Sequence, residues 1–259
     1  MRHVSYIAVI IAAAAAVSAD AVTKGPDAFG YVVTDEADYA WEDLSGTGKL
    51  VLTNDDDAYA SADLNFTFTF YGQEYTKVYW STNGLMTFGA ASTQFTNQDL
   101  TDGGATWTYD GPSAAVLWDD WESSMMVGDG TYYYETPDSP GSRRFIVQWN
   151  LLRHNDDAAQ RSQITFQALL YEGTNALVFQ YADVAVGHTG IDNGLSATVG
   201  IRDTGGQTSG RNLQWSYNHA AITDGTALKI SVIPEPVTMA GLALGIGCLA
   251  RYVRRRRAL

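Results

Sequence analysis

The sequence predicts an all-β protein, an antiparallel β-sandwich, on three observations. Apolar and polar residues alternate with a period of two in many short runs, Gly- and Asn-rich connections separate those runs, and helical apolar patterns are nearly absent between the two ends of the chain. The first run is 65–71, where Phe66, Phe68 and Phe70 alternate with Asn65, Thr67, Thr69 and Tyr71, the pattern of a strand with one buried face. Next, residues 75–80 and 85–88 flank Ser81-Thr82-Asn83-Gly84, and Asn-Gly supplies the positive φ angles that a tight hairpin demands. Further strands are expected at 114–118, 131–135, 144–150, 164–171, 177–181, 196–201 and 227–232, with 164–171 and 177–181 joined as a second hairpin through Glu172-Gly173-Thr174-Asn175-Ala176.

Both ends of the chain read as targeting segments and are set aside before the fold. Residues 1–21 carry Arg2 and His3, an apolar run over 6–17, and the small residues Ser18, Ala19, Asp20 and Ala21, the pattern of a secretory signal peptide. A signal peptidase could cut after Ala19 or after Ala21. The apolar run is shorter than the roughly 20 residues that a bilayer span needs. At the other end, Ile233-Pro234-Glu235-Pro236 precedes an apolar run over 237–250, then Arg251, Tyr252, Val253 and the consecutive arginines Arg254, Arg255, Arg256 and Arg257. A transmembrane helix over 237–253 is expected, with Arg251 snorkelling and the arginine tail held in the cytoplasm by the positive-inside rule. Cys248, inside that segment, reads as a small hydrophobe. A plain C-terminal anchor is the simpler reading of the same residues.

The order Pro-Glu-Pro, Gly- and Leu-rich apolar segment and terminal arginine cluster resembles the PEP-CTERM sorting signal of Gram-negative bacteria. The resemblance implies recognition of Pro234, Glu235 and Pro236 by an exosortase, a membrane enzyme thought to cut there and remove the helix, often in bacteria that make exopolysaccharide. The two prolines hold Glu235 extended, as a processing enzyme requires. The expected partners are thus a signal peptidase, an exosortase, the membrane before processing, and extracellular polysaccharide. The expected location is the cell envelope or the extracellular space, with transient anchoring in the inner membrane.

Between these ends, residues 22–232 suit one β-sandwich domain. The only cysteine of the chain is Cys248, so this domain has no disulfide and depends on its hydrophobic core. Residues 22–233 hold 27 acidic and 10 basic residues, a net charge of −17 against −13 for the whole chain. Such a surface repels nucleic-acid backbones and anionic lipid and favours divalent cations, cationic partners or solubility.

A second series runs through the domain: Phe70-Tyr71-Gly72, Ser81-Thr82-Asn83-Gly84, Phe88-Gly89, Ala115-Val116-Leu117-Trp118-Asp119-Asp120, residues 132–135 and 145–150, Ile164-Thr165-Phe166-Gln167-Ala168, Phe179-Gln180-Tyr181 and Ala197-Thr198-Val199-Gly200. It is similar to nidogen-type extracellular domains over about 65–203, and the resemblance implies a non-catalytic adhesive or structural module of the matrix or biofilm.

No Gly-x-Ser-x-Gly elbow, His-Glu-x-x-His helix or phosphate-binding Gly-rich loop with Lys occurs. His154, His188 and His219 are far apart in sequence, and Asp119, Asp120 and Glu122 could serve as paired acids of a secreted glycosidase. Calcium (Ca2+) is the one cofactor the acidic clusters suggest. Asp55-Asp56-Asp57, Asp119-Asp120 and Asp129 supply hard oxygen ligands without the spacing of a known calcium loop. Asp119 and Asp120 are the preferred metal ligands, because they follow an apolar strand and so have a rigid base. Most of the seven tryptophans read as core, Trp149 among them. Trp107 and Tyr109 lie in the long polar connection 94–112 and are the expected ligand-binding pair, which makes a carbohydrate-binding module the alternative function.

Overall fold

The computed structural model describes residues 21–104, 109–123, 128–136, 139–157 and 162–233. Among them the chain forms strands β1 (Thr23–Lys24), β2 (Tyr31–Thr34), β3 (Lys49–Val51), β4 (Tyr59–Phe70), β5 (Gln73–Ser81), β6 (Leu85–Phe88), β7 (Ser113–Trp118), β8 (Trp121–Glu122), β9 (Gly130–Glu135), β10 (Arg144–His154), β11 (Ile164–Tyr171), β12 (Leu177–Asp183), β13 (Thr198–Arg202), β14 (Asn212–Tyr217) and β15 (Thr226–Val232). One helical turn, Gly206–Ser209, and a 3₁₀ turn, Asp192–Gly194, accompany them. The strands pair into a larger sheet in the order β1-β2-β15-β12-β11-β10-β9-β3, with β8 pairing the end of β10, and a smaller sheet in the order β14-β13-β7-β6-β5-β4. Every pairing is antiparallel.

The expected period-two strand is the second half of β4, whose Leu64, Phe66, Phe68 and Phe70 are buried while Asp63, Asn65 and Thr67 are exposed. The inner faces of both sheets merge into one core, and the polar atoms of its large rings tie the sheets together. Trp149 donates its indole N–H to Ser81 O at 2.7 Å, Trp80 donates to Thr131 Oγ1 at 2.9 Å, and the Tyr181 hydroxyl donates to Val116 O at 2.8 Å. Each bond crosses from one sheet to the other, so none of these three rings carries an unmet donor into the core.

β7 is buried at every position and β11 at all but its last, which alternation alone would not produce. The outer faces are covered by two irregular straps. Residues 35–48 cross the larger sheet, where Ala40 N–H donates to Gln180 Oε1 at 3.0 Å and Leu44 N–H to Gln148 Oε1 at 2.8 Å. Residues 92–104 cross the smaller sheet, where Leu100 N–H donates to Gln214 Oε1 at 2.7 Å and the Trp118 indole to Gln94 O at 2.8 Å.

The hairpin expected between β5 and β6 is present, but its turn departs from the positive φ angles expected of Asn-Gly. Only Gly84 takes a positive φ, 69°, while Ser81, Thr82 and Asn83 are wholly buried, because β7 lies directly on the turn. Val116 and Leu117 N–H groups both donate to Gly84 O.

No helix among the described residues is long and apolar enough to cross a membrane. The expected signal peptide, except Ala21, the expected helix over 237–253, and Pro234, Glu235, Pro236, Arg254, Arg255, Arg256 and Arg257 lie outside the described residues.

Candidate functional site

The two acidic stretches that are separate in sequence, 55–57 and 119–120, meet at one corner of the sandwich. Loop 52–58 arrives from β3 with Leu52, Asn54 and Asp57 in left-handed conformations, at φ 51°, 57° and 47°. Three contacts hold this unfavourable backbone. Ser123 N–H donates to Asp55 O at 3.0 Å while Asp55 N–H donates to Ser123 Oγ at 2.8 Å; Thr82 N–H donates to Ala58 O at 3.0 Å; and Asn83 Nδ2 donates to Asp57 Oδ1 at 2.8 Å.

Asn83 joins these parts. Its amide nitrogen also donates to Thr93 O at 3.2 Å, and its oxygen accepts the Trp121 N–H at 2.9 Å. The turn of the β5–β6 hairpin thereby fixes loop 52–58, the entrance to strap 92–104 and the start of β8. Sequence reasoning took Asn83 for a turn former only, and the polar run Ser81-Thr82-Asn83-Gly84 around it carries no signal of its burial.

One carboxylate oxygen from each of Asp56, Asp57 and Asp120 lies within 4.8 Å of the others. Two ligands about 2.4 Å from a calcium ion are at most twice that distance apart, so the spacing suits a hard cation with water or carbonyl oxygens completing its shell. Partial burial raises the pKa of Asp120, with Asp57 and Asp119 adding to the rise against the hydrogen bond from Asn155 and the charge of His154. Asp56 is raised in the same way, by burial and then by Asp57 and Asp120, with Arg153 opposing. Arg153 is itself engaged by Glu122 at 3.0 Å. The corner therefore carries negative charge that its own cations only partly offset.

The structure separates the expected metal pair. Asp120 joins Asp56 and Asp57, whereas the buried Asp119 turns inward: Oδ1 accepts the Asp120 N–H at 3.0 Å and lies 3.2 Å from His154 Nε2, and Oδ2 accepts the Ser196 hydroxyl. The His154 contact is an ion pair set off the line of a good hydrogen bond. His154 is buried edge-on to Trp121, and its Nδ1 accepts the Asp156 N–H at 3.1 Å. Burial works against its imidazolium, but contact with Asp119 and the charges of Asp119, Asp156 and Asp120 outweigh it and raise the pKa. In this order the carboxylate stands between hydroxyl and imidazole, so Ser196 is not aligned with His154 as a nucleophile with its base. The remaining candidate acid, Glu122, is held by Arg153, and Asp129 is buried and is not a member of the cluster.

Of the expected ligand-binding pair, Trp107 lies outside the described residues. Tyr109 is half-buried and folded back on its own chain: its hydroxyl donates to Ala90 O at 3.2 Å, and Arg202 Nη1 donates to its carbonyl at 3.0 Å. Burial pushes its phenol up to about 12.

A family model described as NIDO related matches residues 30–238, which reaches well beyond the span 65–203 of the sequence resemblance and adds β2, strap 35–48, β14 and β15. No curated protein and no solved structure matches the chain. With more than half of its length matched, an antiparallel double sheet throughout and its acidic corner on that frame, the chain belongs to the NIDO-related family.

Proposed function

We infer that this protein is a non-catalytic module of the bacterial cell envelope or extracellular matrix, exported by its N-terminal segment and sorted through its C-terminal one. The family match over residues 30–238 carries this reading, since a nidogen-related domain is consistent with an extracellular protein. The acidic surface, the absence of cysteine from residues 22–233, and the Pro234-Glu235-Pro236 segment before an apolar run and four arginines support the finer reading. In it an exosortase recognises the Pro-Glu-Pro, the inner membrane holds the chain until processing, and the released domain works among exopolysaccharide. The contacts of Asp119, His154 and Ser196 favour a structural network over a hydrolytic centre.

Intact mass of the protein recovered from envelope and medium tests the sorting step, wild type against Glu235→Ala. Loss of the C-terminal segment in wild type alone is expected. An unprocessed tail in both would refute sorting and leave a membrane-anchored surface protein.

A further inference from the structure

An unpaired sheet edge is a template for another strand, and short length, lysines, bulges or a covering segment are the usual defences. The edges of this sandwich are defended unequally. β1 has two residues, and its Lys24 Nζ donates to Trp215 O of β14, which joins the two sheets at that margin. β3 has three residues, with Lys49 set over the ring of Tyr133. β4 runs for 12 residues at the end of the smaller sheet. Its second half is protected: residues 64–67 bulge against Thr76, Arg143 lies over the Phe66 ring at 5.9 Å, Asn65 Nδ2 donates to Glu135, and Thr69 N–H donates to Asn175 Oδ1 at 2.8 Å.

The first half of β4 lacks such cover. Residues 59–63 pair with β5 in unbroken register, from Tyr59 opposite Ser81 to Asp63 opposite Lys77. Thr82 N–H donates to Ala58 O at 3.0 Å. By the alternation of an antiparallel ladder, Ala60 and Ala62 therefore also bond to β5, while the N–H and C=O groups of Tyr59, Ser61 and Asp63 point away from it. β4 ends its sheet, so among the described residues no further strand meets those groups. The side chains of Tyr59, Ser61 and Asp63 are exposed, Tyr59 to 53% and packed only on Tyr79 of the neighbouring strand. Ala60 and Ala62 turn to the core and stay half-buried at its margin.

We propose that this edge is a contact between two copies of the chain, paired antiparallel about a two-fold axis at Ser61, so that their smaller sheets join into one. An interface of that symmetry must be complementary to itself, and segment 59–63 is. Ser61 exchanges both main-chain hydrogen bonds with Ser61 of the second copy, and Tyr59 and Asp63 do the same with Asp63 and Tyr59 of the second copy. On the core side Ala60 comes to lie opposite Ala62 of the second copy, where small side chains let the strands meet and cover the open margin. On the outer side each Asp63 stands between Lys77 of its own chain, 3.8 Å away, and Tyr59 of the second copy, so no two carboxylates face each other across the strands. This self-complementary order favours a second copy over an unlike strand. The net charge of −17 over residues 22–233 opposes association at low salt, and five residues a side make a small interface of the transient class. The pairing uses the domain alone and is independent of how the chain is exported or sorted.

Cysteine pairing in the full chain tests it, in a Cys248→Ala background that leaves no other thiol. Ser61→Cys should give a disulfide-linked dimer on non-reducing gels after mild oxidation, because paired strands hold such Cα atoms about 5.5 Å apart, within the reach of a disulfide. Tyr59→Cys and Asp63→Cys should link when mixed, whereas Ser45→Cys, exposed on the strap over the larger sheet, should not link. Without added cysteine, sedimentation of the full chain in mild detergent, at about 100 µM and about 0.3 M salt, should show a dimer. Ser61→Lys should weaken it at least tenfold by setting two ammonium groups opposite each other. Ser61 is exposed, so both of its variants should keep the fold, which circular dichroism checks. Linking of Ser61→Cys no faster than that of Ser45→Cys overturns the proposal, as does a monomer under these conditions or a dimer indifferent to Ser61→Lys. Ser61→Cys linked only to a different protein overturns it in favour of an unlike strand at the same edge.

Discussion

Replacing Asn83 by alanine removes three hydrogen bonds from a side chain that is wholly buried. The bond to the Asp57 carboxylate is charge-assisted and worth about 1.5–3 kcal/mol, and the bonds with Thr93 O and Trp121 N–H about 1 kcal/mol each. Asp57 is exposed and regains water, which reduces its share, and the Trp121 N–H keeps Asp119 O as a second acceptor at 3.0 Å, which reduces that share too. The expected loss is about 3–4 kcal/mol. For a domain of this size that lowers Tm by about 6–16 °C. Urea unfolding followed by tryptophan fluorescence measures the first number and a thermal scan the second. A cycle with Asp57→Ala should return a coupling of about 1–2 kcal/mol between the two side chains. A loss under about 1 kcal/mol, or no coupling, would refute the view that Asn83 holds loop 52–58 on the hairpin.

Gly84→Ala should destabilise more than a usual surface substitution, by over about 3 kcal/mol, because its φ is 69° and a Cβ would lie 2.2 Å from Leu117 O; a near-normal urea midpoint would contradict this packing. His154 has a raised pKa, so its stabilising contribution is present in full below the unfolded value of about 6.5 and is lost as pH rises through the higher folded value. Wild type should therefore lose stability relative to His154→Gln as pH rises above about 6.5, and parallel pH profiles would refute the ion pair with Asp119. Asp120 is raised instead, so its charge opposes folding near neutral pH, an effect relieved as pH falls through its folded value. Asp120→Asn should match or exceed wild type in chelator, and millimolar calcium should raise the midpoint of wild type only; an equal calcium response in both would place the ion elsewhere.

The central strands were legible because their apolar and β-branched runs are long enough to show a pattern, as in residues 164–171, whose bounds the structure reproduces as β11. β2 was not, since four residues, Tyr31 to Thr34, give no period and acquire strand geometry by pairing with β15. β14 shows a weak alternation, with Leu213 and Trp215 buried between polar neighbours, and is fixed by pairing with β13. β10 runs past its expected end at Asn150 because Leu151, at φ 55°, makes a bulge that redirects the strand toward β8. The acidic corner divides in the same way. Its members Asp56, Asp57 and Asp120 were all visible as carboxylates in turns, but their meeting depends on Asn83 and Ser123, which are contacts between segments far apart in the chain.

The glutamines within apolar strands follow one rule with one exception. Gln148, Gln167 and Gln180 stand side by side across β10, β11 and β12. Gln148 and Gln180 each accept a strap N–H, which explains why an apolar run tolerates an amide there. Gln167, between them and wholly buried, has neither its amide oxygen nor its nitrogen hydrogen-bonded to the described residues. Leaving such a group buried and unpaired costs about 1–3 kcal/mol, and a similar-sized apolar side chain removes that cost. Gln167→Leu should therefore leave the urea midpoint unchanged or raise it, by up to about 2 kcal/mol in stability, while Gln148→Leu, which frees the buried Leu44 N–H, should lose about 2 kcal/mol. If Gln167→Leu instead costs as much as Gln148→Leu, its amide is bridged to the strap, and all three glutamines are anchors of equal standing.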